Sequence, residues 1–209
     1  IENSVSNKGR ESLAGHPEKI IFLTCDAYGV LPPIAKLNPS QAMYHFISGY
    51  TAKIAGTELG VNKPLATFSP CFGGPFLTLH PLKYAELLKN KIEQFNTKIY
   101  MVNTGWVGSD ASSGSKRFSL PKTRLIINAI LSGDIESSDF TIDHYFGFKI
   151  PKKIDGIESN LLNPIAAWRD FKSYKTAAEK LVLKFQENYE KYDLGDKMVA
   201  LGGPRIPKE

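Results

Sequence analysis

The sequence predicts a mixed α/β fold, a sheet with flanking helices, on three observations. The run Lys19–Thr24 is continuously apolar after its lysine and rich in β-branched residues, the pattern of a strand covered on both faces, and Lys98–Asn103 reads as a further strand. Segments of helical period alternate with these runs along the chain. With 42% hydrophobic residues among 209, the chain can bury one sizeable core, as one domain or a large piece of one.

Taken in order, Lys19–Thr24 is expected to sit centrally in the sheet. Tyr28-Gly-Val-Leu-Pro-Pro33 breaks the pattern, and Asn38-Pro-Ser-Gln41 offers an N-cap, a proline at the first helical position and a glutamine placed for a capping box. The helix that follows turns Met43, Phe46 and Ile47 inward and ends near Gly49 or after Ala52. Residues 55–64 carry two glycines and a proline without a period and read as a loop. Residues 65–76 form a second apolar stretch with a bend at Gly73-Gly74-Pro75. Pro81 opens the most regular helix, with Ala85, Leu88, Ile92 and Phe95 on one stripe and Lys83, Glu86, Lys89 and Glu93 opposite.

Beyond the strand Lys98–Asn103, residues 104–119 are a Gly/Ser-rich loop ending in Lys116-Arg117-Phe118. Pro121 starts a helix with Ile126, Ile127 and Ile130 inward, closed at Gly133. Residues 140–150 alternate as one strand, with Phe146, Phe148 and Ile150 on one side. A loop holding Asn163, Pro164 and Trp168 precedes a last helix over 173–192, whose buried stripe is Ala178, Leu181, Phe185 and Tyr189. The glycine- and proline-rich tail 202–207 is expected to be loose.

Charge and cysteine usage narrow the function classes. The net charge of +5 comes from 26 basic and 21 acidic residues spread together, a balance that suits small anionic ligands as readily as nucleic acid. The lysines of the last helix alternate with Glu179 and Glu187, as on a solvated face, and no basic stripe with interleaved aromatics argues for nucleic acid. Two cysteines, Cys25 and Cys71, are too few for a disulfide framework and point to a reducing, cytoplasmic setting. No signal pattern and no run of some eighteen apolar residues supports secretion or a membrane span. The start at Ile1-Glu-Asn3 without a methionine suggests a chain that began upstream.

No glycine-rich phosphate loop of either familiar spacing is present. The four histidines, His16, His45, His80 and His144, lack a second ligand at metal spacing and read as surface or capping residues. The strand-loop-helix unit from Lys98 to Gly133 is the most promising feature. A planar guanidinium at Arg117 can stack on a purine while main-chain groups read its edge, although a solvated arginine on a turn has the same sequence. Thr123, in the first turn of the next helix, can offer its hydroxyl to a base or ribose, or return it to its own backbone. Asp26, just past a strand, stands where ligand-contacting carboxylates occur in open sheets, and equally where turns are capped.

Several segments together resemble the ATP-dependent phosphoenolpyruvate carboxykinases: Leu13-Ala-Gly-His16, Cys25-Asp-Ala-Tyr-Gly-Val-Leu-Pro-Pro33, Tyr44-His-Phe-Ile-Ser-Gly-Tyr-Thr-Ala-Lys53, Ala55-Gly-Thr-Glu58, His80-Pro81 and Val102-Asn-Thr-Gly-Trp106. They run in order from the first residues to about Tyr192. The resemblance implies the C-terminal part of that enzyme's nucleotide-binding domain over residues 1–209, without the upstream phosphate loop, metal ligands and substrate-binding arginines, and so no catalytic or metal-binding residue in this chain. It also implies decarboxylation of oxaloacetate and transfer of the γ-phosphoryl group of ATP, giving phosphoenolpyruvate, ADP and carbon dioxide in gluconeogenesis. Mg2+ and Mn2+ would be held by ligands outside this chain.

Carried onto this sequence, the family's adenine contact falls on Arg117, stacking on the base, and on the main chain of Phe118, where many members have isoleucine; its nearby hydroxyl contact falls on Thr123. The lid over bound substrates falls on Ala55, Gly56, Thr57 and Glu58. The expected partners are ATP/ADP and oxaloacetate/phosphoenolpyruvate, without nucleic acid or membrane, and a homo-oligomer is compatible with the sequence. The isolated segment is expected to be inactive.

Overall fold

The computed structural model describes residues 13–53, 64–113, 116–192 and 201–208. The segment Ala55, Gly56, Thr57 and Glu58 lies outside the described residues.

The expected α/β class is what the chain adopts. Strands β1 (Lys19–Thr24), β2 (Ile34–Leu37), β5 (Lys98–Asn103), β6 (Phe140–Ile142) and β7 (Lys149–Pro151) form a five-stranded mixed sheet in the order β1-β5-β2-β7-β6. Only β1 and β5 are parallel, in register from Lys19 opposite Lys98 to Thr24 opposite Asn103, so their C-terminal ends emerge side by side. Strands β3 (Tyr50–Lys53) and β4 (Leu65–Phe68) make a separate antiparallel pair.

Alternation along β5 assigns both faces to cores. Ile99 and Met101 belong to a cluster with Ala35, Leu37 and Phe148, covered by Tyr44 of α1 (Pro39–Ser48) and by Ala178, Leu181 and Phe185 of α6 (Phe171–Glu190). Tyr100 and Val102 face the other way, into Ile34 and into Ile126 and Ile130 of α3 (Leu120–Ser132). Helix α2 (Pro81–Phe95) packs outside α1 through Ala85 against Met43 and Ile47. Burying side chains on both faces at ~25 cal/mol per Å2 of apolar surface is what makes β5 the centre of the fold.

Local chemistry sets most boundaries. The Asn38–Gln41 capping box forms with both reciprocal bonds, and α1 ends at Gly49 in the left-handed region (φ 52). A side chain there would meet the Ser69 carbonyl oxygen at 1.7 Å, so glycine is required twice over. Helix α3 likewise ends at Gly133 with φ 90.

Five expectations need correcting. Strand β1 is an edge of its sheet among the described residues, because the other strands all add beyond β5, and Leu23 is 58% exposed. Residues 140–150 are two strands rather than one: Asp143 accepts from Tyr145 N and Phe146 N, and Gly147 at φ 64 completes the reversal. The loop before the last helix contains two single turns, α4 (Ser159–Leu162) and α5 (Pro164–Ala167), and α6 starts at Phe171 because Asp170 caps it. The tail is docked: Arg205 N donates to Tyr145 O at 2.7 Å, and Gly202 lies so close to Ser40 O that a side chain would come within 2.2 Å. His45 is neither a surface nor a capping residue; it is buried among Phe148 and Phe185.

Candidate functional site

The parallel pair β1–β5 delivers two loops to one end of the sheet, the position where open α/β sheets bind ligands. The loops are laced by main-chain bonds: Thr104 N donates to Thr24 O (2.8 Å), Trp106 N to Asp26 O (2.8 Å), Ala111 N to Ala27 O (2.9 Å). Two buried side chains complete the lacing. Asn103, fully buried at the end of β5, accepts from Asp26 N (3.0 Å) and Gly105 N (2.8 Å) through Oδ1, and donates Nδ2 to Leu31 O (3.0 Å) and Trp106 O (3.1 Å). Asp26 accepts from the main chain of Tyr28, Val30 and Leu31 at 2.7–2.8 Å and from the Tyr50 hydroxyl at 2.7 Å.

Burial pushes the Asp26 carboxyl above the ordinary aspartate value, against the downward pull of those donors. Of the two roles open to Asp26 in the sequence, the geometry is that of a turn cap, extended to grip β3. Gly105 is required by space: a side chain would stand 2.3 Å from Asp26 O.

Arg117 lies on this laced platform. Its Nε donates to Thr104 O at 3.1 Å and its Nη2 to Thr104 Oγ1 at 3.4 Å, while the guanidinium carbon stands 5.8 Å from the centre of the Trp106 ring. Thr104 is itself oriented, its hydroxyl donating to Thr24 O at 3.0 Å. Trp106 is buried beside Cys25, Ala27 and Ala52. Burial pushes the Cys25 thiol up, and the nearby Arg117 charge opposes that shift. Phe118 donates its main-chain N–H to Gly105 O at 2.7 Å and packs partly into the α3 core. Thr123 is buried and returns its hydroxyl to Ser119 O at 3.2 Å, the local alternative named above. Arg117 and Phe118 are therefore brought to one end of the sheet with Thr104 and Trp106, and Thr123 supports the helix behind them.

On the flank of the same loops lies a cleft of about 530 Å3, lined among others by Tyr28, Asp110, Ser112, Trp168, Thr176 and Lys180. Trp168 Nε1 donates to Gly29 O at 2.8 Å, and Lys180 Nζ sits 5.6 Å above the Tyr28 ring. Arg117 is not among its lining residues. Among the described residues no group of three or more His, Cys, Asp and Glu side chains is placed to hold a metal ion. Among the same residues, no helix is long and apolar enough to cross a membrane.

Sequence reasoning singled out Arg117 as a candidate and gave no role to the residues that hold it. Asn103 and Trp106 stood inside a quoted motif without a role, because their partners are distant in the chain; Asp26 and Asn103 are 77 positions apart. The available signal was a polar residue, Asn103, closing an otherwise apolar strand.

Comparison with known proteins gives a consistent result. The phosphoenolpyruvate carboxykinase family profile matches residues 2–160. Among curated relatives described as phosphoenolpyruvate carboxykinase (ATP), the protein of Thermus thermophilus is 50% identical over 206 residues, 98% of this chain and 38% of its own length. That of Oceanobacillus iheyensis is 48% identical over 204 residues, covering 98% of this chain and 38% of its own. The Campylobacter lari protein is 53% identical over 180 residues, 86% of this chain and 34% of its own. The chain thus spans little more than a third of the length of these relatives.

Proposed function

Since this chain belongs to the ATP-dependent phosphoenolpyruvate carboxykinase family, we propose that it is the C-terminal part of the nucleotide-binding domain of such an enzyme, and that it supplies the adenine contact. The full-length protein converts oxaloacetate and ATP to phosphoenolpyruvate, ADP and carbon dioxide in the cytoplasm, as a step of gluconeogenesis. The segment containing Ala55, Gly56, Thr57 and Glu58 serves as the lid.

One observation carries the adenine reading. The Arg117 guanidinium has its carbon 5.8 Å from the ring centre of a buried indole, one edge bound to Thr104, and remains exposed at the carboxyl ends of two parallel strands. A planar cation held in that way can take a purine on its outer face, where dispersion and the π-system of the base add to the stacking. The Phe118 main chain is fixed alongside by its bond to Gly105 and can read the edge of the base. Thr123 contributes through its hydroxyl oxygen, which can still accept a bond while donating to Ser119. The family's divalent metals would stabilise charge on the transferred phosphoryl group; their ligands, like the groups that bind oxaloacetate, belong to polypeptide outside these residues.

The test is kinetic. In the full-length enzyme Arg117→Ala raises the KM for ATP by about tenfold, the loss of a partly desolvated stacking contact, with a smaller effect on the KM for oxaloacetate. Unchanged nucleotide kinetics would discard the adenine assignment. The isolated 209-residue chain forms no phosphoenolpyruvate, and robust turnover by it would refute the division of labour.

A further inference from the structure

We infer that Trp106 is a positioning residue for the purine contact: its indole is the floor that sets the plane of the Arg117 guanidinium. The inference rests on the adenine reading above and deepens it.

The argument is one of degrees of freedom. A guanidinium is a rigid planar fork, and two of its nitrogens, Nε and Nη2, reach the same residue, Thr104, at 3.1 and 3.4 Å. Two contacts along one edge define an axis about which the plane can still tilt. Stacking tolerates little tilt, because the attraction of two flat groups falls off as their faces part. The Trp106 ring, its centre 5.8 Å from the guanidinium carbon, stands beside the group, and its bulk limits the swing toward that side.

A floor serves only if it is itself fixed, and Trp106 is. Its main-chain N–H donates to Asp26 O, its main-chain carbonyl accepts from Asn103 Nδ2, and only 6% of its surface is exposed. The chain path into it passes through Gly105, which has no room for a side chain. Buried in this way, the indole is poorly placed to touch a nucleotide itself, so its effect on binding passes through Arg117.

The experiment uses the full-length enzyme with steady-state kinetics for both substrates and a melting temperature for each variant. Trp106→Met fills the buried volume without an aromatic face. It raises the KM for ATP about three- to tenfold, with the KM for oxaloacetate and kcat nearly unchanged. Trp106→Phe, which restores a smaller ring, gives a smaller rise. In an Arg117→Ala background, Trp106→Met adds nothing further, since the group it positions is gone.

A parallel rise in both KM values with a lower melting temperature would make Trp106 a packing residue and overturn the inference, as would additive effects in the double variant. Where Trp106→Met does not fold, Trp106→Phe decides: a rise of about twofold or more for ATP alone supports the inference, and no change overturns it. An effect of Arg117→Ala with none from either Trp106 variant leaves the adenine reading standing and removes only the floor. A silent Arg117→Ala removes both.

Discussion

The laced end of the sheet and the aromatic core beneath α6 both bury polar groups, and they treat them in opposite ways. At the sheet end, Asp26 and Asn103 have every side-chain function engaged, eight bonds' worth of donors and acceptors concentrated on two residues. In the α6 core, His45 Nε2, Tyr174 Oη, Asn188 Nδ2 and Tyr189 Oη have no hydrogen-bond partner among the described residues. Ring packing holds that region instead, with Tyr44 stacked on Tyr189 at 4.6 Å and His45 set against Phe148 at 4.9 Å. Directional bonds in a low dielectric specify one geometry, whereas ring contacts fill volume and tolerate adjustment. The bonded end is accordingly the one that can hold Arg117 in a defined plane.

The largest effect that would sharpen this contrast comes from Asp26→Ala. It strands three main-chain N–H groups and the Tyr50 hydroxyl in a buried site, and the expected loss is about 4 kcal/mol of stability, roughly a 10 °C fall in melting temperature. A loss below about 1 kcal/mol would show that water replaces the carboxylate and that the loop is not over-determined.

A medium effect is tied to pH. Burial lowers the His45 pKa from 6.5 to about 3, so between those values the unfolded chain binds a proton that the folded chain refuses. Stability is therefore full above the unfolded value and falls as pH drops toward the folded one, by about 2 kcal/mol at about pH 5. His45→Phe removes that slope. Melting curves at about pH 5 and about pH 7 check it, and an unchanged slope in the variant would place the acid sensitivity elsewhere.

The smallest effect is the most diagnostic for the core. Tyr189→Phe deletes a hydroxyl that has no partner among the described residues, while keeping the ring against Tyr44. Denaturant midpoints should change by no more than about 0.5 kcal/mol, or rise. A loss of about 2 kcal/mol would reveal a hydrogen bond and erase the distinction between the two regions.

Legibility in the sequence follows the range of the interaction that decides each feature. The capping box at Asn38 and Gln41, the glycine stop at Gly49, the stripe of α6 and the strand β5 depend on neighbours within a few residues, and all were readable. Strands β2 and β3 were missed because four-residue runs such as Ile34–Leu37 carry no period of their own and become strands only by pairing. The role of Arg117 was readable as a candidate, and Trp106 as part of a motif, but neither told of the other.

By itself the sequence determined the α/β class, the three helices that open at a proline and the stripe of the last helix, and membership of a carboxykinase family, since each is encoded in local spacing or in long stretches of residue identity. Only the tertiary structure decided that β1 stands at an edge, that His45 is buried, that the tail is docked and that Asp26 and Asn103 lace two distant loops. Those outcomes depend on which surfaces meet after folding. A hydrogen bond across 77 residues leaves no trace in the spacing of either partner's neighbours.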